Sequence, residues 1–504
     1  MGKFLDWIKD NNIILLVFGF IFSVFSIGRF NIVISIYIWP FCFLHFIHLS
    51  ESKLIPLITV SLCLLFSNMI RCIGQSNINI GVDFIIGAYF SIINIIPFII
   101  DGILYNKIHK WQNVLLFPLS VAICEFLFSF NVIANFNIYA YAHRENIQYL
   151  QIISLFGCYF LSFVIALFSS TLDYSINLYK EDEKISKYIY MYAILILIIY
   201  FFGVIRLLLP EEKGTFNIAS SLGMSQYLYE NGEEPVLPIE KYIDYIDETM
   251  KRANYSKADI MIYAEEAFAI YIENKTNIIE KVKKLSEIYN IYVLLPLDIS
   301  YDDINNTNEA ILISNKGESL YYYQKQHLIP FIEKDYFEDM DKVDVIDTDL
   351  GSKMTVAICY DINFPYFLNS LSSKHFDLLL VPSWDWDGIA EFHSNEAKYR
   401  AIEGGFNLIK NTANGIVISN DYKGTTLSYY IVKDCEDYFI ISTVNKKGVK
   451  TLYSYIGFLF NYIYIIAFIC IIISGIIKDK ILSKRHYSYG MQKLSELNVY
   501  SETD

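Results

Sequence analysis

Met354-Thr-Val-Ala-Ile-Cys359 is an apolar run that stops on a sulfur, directly before Tyr360-Asp361-Ile362-Asn363-Phe364-Pro365. Its β-branched and apolar residues predict a buried strand, which puts Cys359 at a strand end. A thiol is mostly protonated near neutral pH and needs a base or a nearby cation to become a good nucleophile. Upstream, Glu265 follows Asp259-Ile-Met-Ile-Tyr-Ala264, and Lys325 follows Tyr321-Tyr-Tyr-Gln324 and precedes His327-Leu-Ile-Pro330. A carboxylate can take the thiol proton, and an ammonium can stabilise a thiolate and a tetrahedral oxyanion. Singly, Glu265 reads as a solvated edge residue and Cys359 as core. Together the three describe what thiol acyl-transfer chemistry requires.

Around this run, residues 211–452 are rich in Asp, Glu, Lys and Asn, with short apolar runs between polar periodic stretches. Ile239, Tyr242, Ile243, Ile246 and Met250 recur at helical spacing. Residues 273–289 and 391–404 also read as helices. Asp259–Ala264, Ile291–Pro296 and Asp377–Pro382 read as buried strands. Strands alternating with helices over this length predict one α/β domain with its own core. There is no internal repeat, P-loop or GxGxxG, so no cofactor is implied.

The rest of the chain is built for lipid. Its 504 residues are 54% hydrophobic, and the mean hydropathy is +0.34, beyond ordinary soluble proteins. Apolar segments of bilayer length fall at 11–28, 31–49, 54–71, 84–100, 112–132, 150–172 and 187–209, then at 454–477. Lipid offers backbone amides no partner, so these are predicted as helices. Lys3 and Lys9 precede the first, which lacks a small-residue cleavage site and reads as a retained anchor. Lys53, then Lys107 and Lys110, then Lys180, Lys184 and Lys187 fall in alternate connections; Lys478, Lys480, Lys484 and Arg485 follow the last span. The positive-inside rule makes all of these cytoplasmic, with both termini, and puts residues 211–452 outside. The predicted division is a seven-span domain over 1–210, the outside domain over 211–452, a span over 453–478 and a cytoplasmic tail over 479–504.

The net charge of −14 argues against a nucleic-acid partner. Of eight cysteines, six lie in or beside apolar spans, leaving Cys359 and Cys435 without a CxxC or a disulfide-like framework.

Ala264-Glu265-Glu266-Ala267, Tyr323-Gln-Lys325-Gln-His327-Leu-Ile-Pro-Phe331-Ile-Glu333 and Ile358-Cys359-Tyr360-Asp361 together resemble the Glu-Lys-Cys triad motifs of the nitrilase superfamily. More narrowly they resemble its membrane-bound apolipoprotein N-acyltransferase branch, in which Lys-x-His-Leu-x-Pro-Phe-x-Glu and Cys-Tyr-Glu runs are hallmarks. His393, Ala397, Arg400-Ala401-x-Glu403-x-Gly405, Asn414-Gly415, Glu125 and the stretch from Ala140-Tyr-Ala142 to Leu161-Ser-Phe163 fit the same pattern, as do the seven-plus-one spans.

The resemblance implies an extracytoplasmic α-β-β-α sandwich carried on a multi-pass helical domain in the plasma (inner) membrane. It implies Glu265 as general base, Cys359 as nucleophile and Lys325 as oxyanion stabiliser. Glu333 is implied as a second acidic residue orienting the site, with Tyr360 and Asp361 shaping an acyl pocket. The implied reaction moves an acyl chain from a phospholipid, through a Cys359 thioester, to the α-amino group of a diacylglyceryl-lipoprotein. The enzyme is expected to act as a monomer without metal or cofactor.

Several residues depart from the pattern. Ala264 stands for the usual Pro, Glu266 for Thr, and Asp361 for Glu. Pro382-Ser-Trp384-Asp-Trp386-Asp387-Gly388 replaces the Ser-Asn-Asp-x-Trp-Phe-Gly loop, and Phe216-Asn-Ile-Ala-Ser-Ser-Leu222 lacks the Gln-Gly-Asn-Ile pattern. These changes spare the triad and fall where substrate contacts are expected. Two rival functions follow: a membrane-tethered hydrolase acting on another amide, ester or amine acceptor, and a catalytically retired scaffold, against which the intact triad speaks. Three other features carry two readings each. Cys42-x-x-His45-x-x-His48 reads as interfacial packing ahead of metal ligation. Glu125, an intramembrane carboxylate, is either functional or an interhelix hydrogen bonder. Trp384 and Trp386 are loop packing or a lipid-facing lip.

Overall fold

A computed structural model describes residues 12–105, 107–108, 111–134, 136–180, 186–211, 214–225, 236–302, 305–330, 332–336, 343–434 and 438–475. Lys3, Lys9, Lys110, Lys184, Phe331, Cys435, Lys478, Lys480, Lys484, Arg485 and the tail 479–504 lie outside them.

Among the described residues seven helices of twelve or more residues precede the polar domain: α1 (Ile13–Val24), α2 (Ser35–Leu49), α3 (Leu54–Cys72), α4 (Ile80–Leu104), α5 (Asn113–Phe128), α6 (Cys158–Lys180) and α7 (Ser186–Leu208). Another apolar helical segment, Leu452–Gly475, follows it. Among the described residues five helices are long and apolar enough to cross a membrane: α3, α4, α6, α7 and Leu452–Gly475. Helices α1, α2 and α5 have 12, 15 and 16 residues, short of the ~20 that a straight crossing takes. The apolar residues at 25–28, 31–34 and 129–132, predicted as span ends, form turns and loops instead. Hydropathy reports affinity for lipid and is blind to where helical hydrogen bonding stops.

The sixth predicted span, 150–172, also changes. Two single-turn helices, Ile147–Leu150 and Ile153–Phe156, lead to Gly157, and α6 starts only at Cys158. Gly157 has φ +76°, a left-handed conformation that favours glycine, and a Cβ there would run into the Tyr453 ring. On α7, Leu197, Phe201 and Leu208 are each more than two-thirds exposed, an apolar face that needs lipid.

Inside the bundle, Cys42, His45 and His48 do not converge. His45 Nδ1 and His48 Nδ1 both bond to Asp173, at 2.6 and 2.7 Å, and His48 Nε2 bonds to Asp101 at 2.7 Å. This set ties α2 to α4 and α6, in keeping with the packing reading. Glu125 accepts a hydrogen bond from the Tyr139 N–H at 2.8 Å and so anchors the turn Tyr139–His143.

Among the described residues the polar domain holds thirteen strands: β1 (Thr215–Ser221), β2 (Ile260–Tyr263), β3 (Phe268–Tyr271), β4 (Tyr292–Asp302), β5 (Asn305–Ile313), β6 (Ser319–Gln324), β7 (Ile346–Asp347), β8 (Lys353–Val356), β9 (Leu378–Ser383), β10 (Asn407–Thr412), β11 (Ile416–Asn420), β12 (Thr426–Ile431) and β13 (Phe439–Asn445). One sheet runs β13-β1-β2-β4-β5-β6, with β3 also on β4; the other runs β12-β11-β10-β9-β8-β7. Each has a parallel centre, β1-β2-β4 and β8-β9-β10, and antiparallel flanks.

Alternation along each strand explains the layers. Phe216 and Ile218 of β1 join Ile260, Leu294, Met354, Leu378 and Ile409 in one core between the sheets. Ala219 of β1 faces away, with Tyr242, Ile246 and Met250 of α8 (Ile239–Tyr255) and Ile278 and Val282 of α9 (Lys275–Tyr289). Helices α10 (Pro365–Ser372) and α11 (Ala390–Gly404) lie on the second sheet. The architecture is a helix-sheet-sheet-helix sandwich on an apolar helical domain.

The two parts share a buried polar seam. Tyr141 Oη donates to Glu396 at 2.6 Å, Tyr399 Oη donates to the Ala140 carbonyl at 2.7 Å, and the Cys158 N–H donates to Glu403 at 2.6 Å. Arg400, fully buried, bonds to Tyr141 Oη at 2.7 Å and to Glu403.

Candidate active site

Glu265, Lys325 and Cys359 each lie just past the carboxyl end of a strand, β2, β6 and β8, where sheets of this kind bind ligands. The structure brings all three together. Lys325 Nζ sits 2.7 Å from Glu265 Oε1 and 2.6 Å from Glu333 Oε1, and all of these side chains are buried. Glu333 Oε2 accepts the Ile329 N–H at 2.6 Å, which folds the segment after β6 back over the site. The Glu265 N–H donates to the Ser383 carbonyl at 3.3 Å, so β2 and β9 fix the carboxylate between the sheets. The Glu265 carboxyl also meets the Cys359 thiol.

The predicted strand stops earlier than its sequence implies. β8 ends at Val356, and Cys359 opens a 3-10 turn, Cys359–Asn363. Its φ is +45°, which a non-glycine residue adopts at a cost of about 1–2 kcal/mol. Asp361 holds the turn: its carboxylate accepts the Ile358 N–H (3.0 Å), Tyr323 Oη–H (2.6 Å) and the Gln326 N–H (3.2 Å), and meets His327 Nδ1 at 2.8 Å. Asp361 therefore ties the Cys359 turn to the Lys325 segment and does not line the cavity. Tyr360 donates to the Val132 carbonyl at 2.8 Å and stacks on Phe136, binding the same turn to the membrane domain.

The cavity over these residues has a volume of about 610 Å³. Glu265, Glu266, Lys325 and Glu333 form its polar floor; Ile329, Ile332, Trp384 and Trp386 supply apolar wall, and Ser76, Asn77 and Ile78 from the α3–α4 connection face it. Trp386 Nε1 donates to the Gln75 carbonyl at 2.5 Å, so the altered 382–388 loop is seated on that connection.

Burial pushes the Cys359 thiol well above its ordinary pKa, and the neighbouring Glu265 charge adds to this while Lys325 opposes it. Cys359 therefore rests as a thiol, which would have to hand over its proton before it could act as a nucleophile. Burial also raises Glu265, partly offset by Lys325. Burial disfavours the Lys325 charge, but Glu265 and Glu333 outweigh it and hold the ammonium well above its usual range. A carboxyl, an ammonium and a thiol thus lie together, with the thiol buried beside the cavity floor, an arrangement suited to acyl transfer.

Sequence reasoning missed Asn308. It is buried on β5, and its Nδ2 donates to Glu265 Oε1 at 2.8 Å and to Glu266 Oε1 at 3.2 Å, while its carbonyl accepts the Lys325 N–H at 2.9 Å. The only local signal was a polar residue at an inward register position, opposite Asp298.

The carbon-nitrogen hydrolase family profile matches residues 220–441. Apolipoprotein N-acyltransferase 2 of Treponema denticola is 24% identical over 406 residues, 68% of this chain and 73% of that protein. The apolipoprotein N-acyltransferase of Bradyrhizobium diazoefficiens is 24% identical over 379 residues, 68% of this chain and 69% of its own length. The deaminated glutathione amidase of Dictyostelium discoideum is 31% identical, but over 151 residues, 27% of this chain. The first two similarities extend well beyond the hydrolase domain. Residues 220–441 thus match the carbon-nitrogen hydrolase family, and over about two-thirds of its length the chain is similar to apolipoprotein N-acyltransferases.

Against the pattern of the N-acyltransferases, the departures now have positions. Glu266, where Thr is usual, takes φ +53° and lines the cavity beside Glu265; burial, Asp298 and Glu265 push its carboxyl well up. Trp384, Asp385 and Trp386 of the altered loop also line the cavity.

Proposed function

We propose that this chain takes an acyl chain from a phospholipid onto Cys359 as a thioester and passes it to the α-amino group of a lipoprotein's N-terminal diacylglyceryl-cysteine. The observation that carries this reading is the buried Cys359–Glu265–Lys325 set under a cavity whose wall includes the α3–α4 connection of the membrane domain. Substrates whose tails stay in the bilayer can present their head regions at such a site.

In the first half-reaction Glu265 accepts the thiol proton, the sulfur–carbon bond forms, and Lys325 Nζ stabilises the oxyanion. The ester C–O bond breaks, and the proton goes from Glu265 to the departing lysophospholipid oxygen. In the second, a neutral amine attacks the thioester, Glu265 takes its proton, the C–S bond breaks, and the proton returns to the thiolate. Glu333 holds Lys325 against Glu265. Glu265→Gln keeps the acceptor oxygen for Lys325 and Asn308, so it should fold normally. It should slow acylation by about 10²–10⁴-fold, read as a lost pre-steady-state burst; an unchanged burst removes Glu265 as base. In the wild type, acylation should rise with pH through the elevated Glu265 pKa, because the carboxylate is the active form.

The placement we propose is seven spans over 1–210, the catalytic domain over 211–452 on the outer face of the plasma membrane, a return span over 453–478 and cytoplasmic termini, the enzyme acting as a monomer. Lys53, Lys107 and Lys187 in alternate connections support it. Mass spectrometry of lipoprotein N-termini from cells with and without the protein tests the function. N-acylated termini should disappear in its absence, and identical termini in both would promote the hydrolase reading.

A further inference from the structure

A second buried polar set touches the nucleophile, and the mechanism above leaves it unused. Asp385, from the altered loop, accepts hydrogen bonds on Oδ1 from Ser383 Oγ at 2.9 Å and from His393 Nδ1 at 2.7 Å; Lys410 Nζ pairs with Oδ2. Its own N–H donates to Thr412 Oγ1 at 3.0 Å. All of these side chains are buried. The carboxylate is saturated by three donors, which lock its position and keep it ionised.

Because Nδ1–H is committed to Asp385, the neutral imidazole leaves Nε2 without a proton. Among the described residues Nε2 is buried and has no hydrogen-bond partner, and the imidazole lies beside Cys359. Ligating atoms of Cys359, Asp385 and His393 all lie within 4.8 Å of one another. Like Cys359 itself, His393 is buried and is not among the residues that line the cavity. An orphaned buried nitrogen is costly and calls for a reason. The residue it abuts is Cys359, whose left-handed backbone also needs support.

We propose that Asp385 and His393 are positioning residues for the nucleophile: Asp385 fixes the imidazole, and the imidazole holds the Cys359 turn where the thiol meets Glu265. Lys410 and Ser383 keep Asp385 in place. Asp385 belongs to the stretch in which this chain departs from its relatives, so the departure retains support for the thiol while changing the cavity wall. The inference rests on Cys359 being the nucleophile and not on the identity of donor or acceptor.

The test uses the full-length protein in detergent and two substitutions of different reach. His393→Asn places an amide near the Nδ1 position and cannot extend to the Cys359 turn; His393→Gln extends to the Nε2 position. The rate of Cys359 alkylation by iodoacetamide is read by peptide mass, and kcat and KM for a phospholipid donor are read separately. His393→Asn should slow alkylation and kcat by about 10- to 100-fold with the donor KM little changed, the scale of a misplaced reacting group. His393→Gln should recover most of the loss. Wild-type alkylation in the Asn variant would overturn the proposal, and so would an equal deficit in both variants accompanied by a raised donor KM. Alkylation needs no lipid, so its result stands apart from the donor and acceptor assigned above.

Discussion

Cys359→Ser is expected to lower acyl transfer by more than about 10⁴-fold, as loss of a nucleophile does elsewhere, with the fold intact. The side chain is buried at a fixed turn, and a hydroxyl fits the volume of the thiol. Chemistry is what changes. Even with burial raising the thiol, sulfur gives up its proton to Glu265 far more readily than a serine hydroxyl would. Incubation with phospholipid should add one acyl chain to the wild-type intact mass, released by hydroxylamine, and add nothing to the variant. An acyl group trapped on another residue of the variant would remove Cys359 from the mechanism.

Lys325→Met should be the most damaging substitution for stability. Lys325 is the cation that both Glu265 and Glu333 contact, and all three side chains are buried. Removing one partner of a buried charge set costs about 3–5 kcal/mol because it strands the others. Loss of the oxyanion stabiliser should lower acylation by about 10²–10³-fold on top of that. The pH dependence has a definite sign. In the wild type Lys325 opposes the burial that raises Glu265, so without it Glu265 keeps its proton to still higher pH. The unfolded chain releases that proton near pH 4.3. Above this point the native variant binds more protons than the unfolded one, so its stability falls as pH rises. Melting of the two proteins from acid to neutral pH checks this: the gap should widen upward, and a constant gap would mean that Lys325 does not neutralise this carboxylate.

What the chain discloses before its structure is uneven. Strand and helix assignments around the site rested on local periodicity, and β2, β9, α8 and α11 fall within a few residues of expectation. The Cys359 turn was missed because a left-handed φ leaves no mark in an alternating apolar pattern. Membrane segments read as long spans came out shorter at α1, α2 and α5, where apolar residues continue through turns. Glu265, Lys325 and Cys359 were legible as a set only through motifs, since the strands that bring them together are far apart in sequence. Asn308, Asp385 and Lys410 were not legible as site members at all. Each is a polar residue whose inward register or loop setting becomes informative only once the two sheets face each other.

The central claim is acyl transfer to an amine through Cys359, and reconstitution tests it most directly. Purified protein in vesicles is given a phospholipid labelled in one acyl chain and a peptide bearing an N-terminal diacylglyceryl-cysteine. The label should move to the peptide α-amino group, and the transfer should vanish in Cys359→Ser. Label recovered only as free fatty acid, at equal rates with and without the peptide, would contradict the account and make the protein a hydrolase.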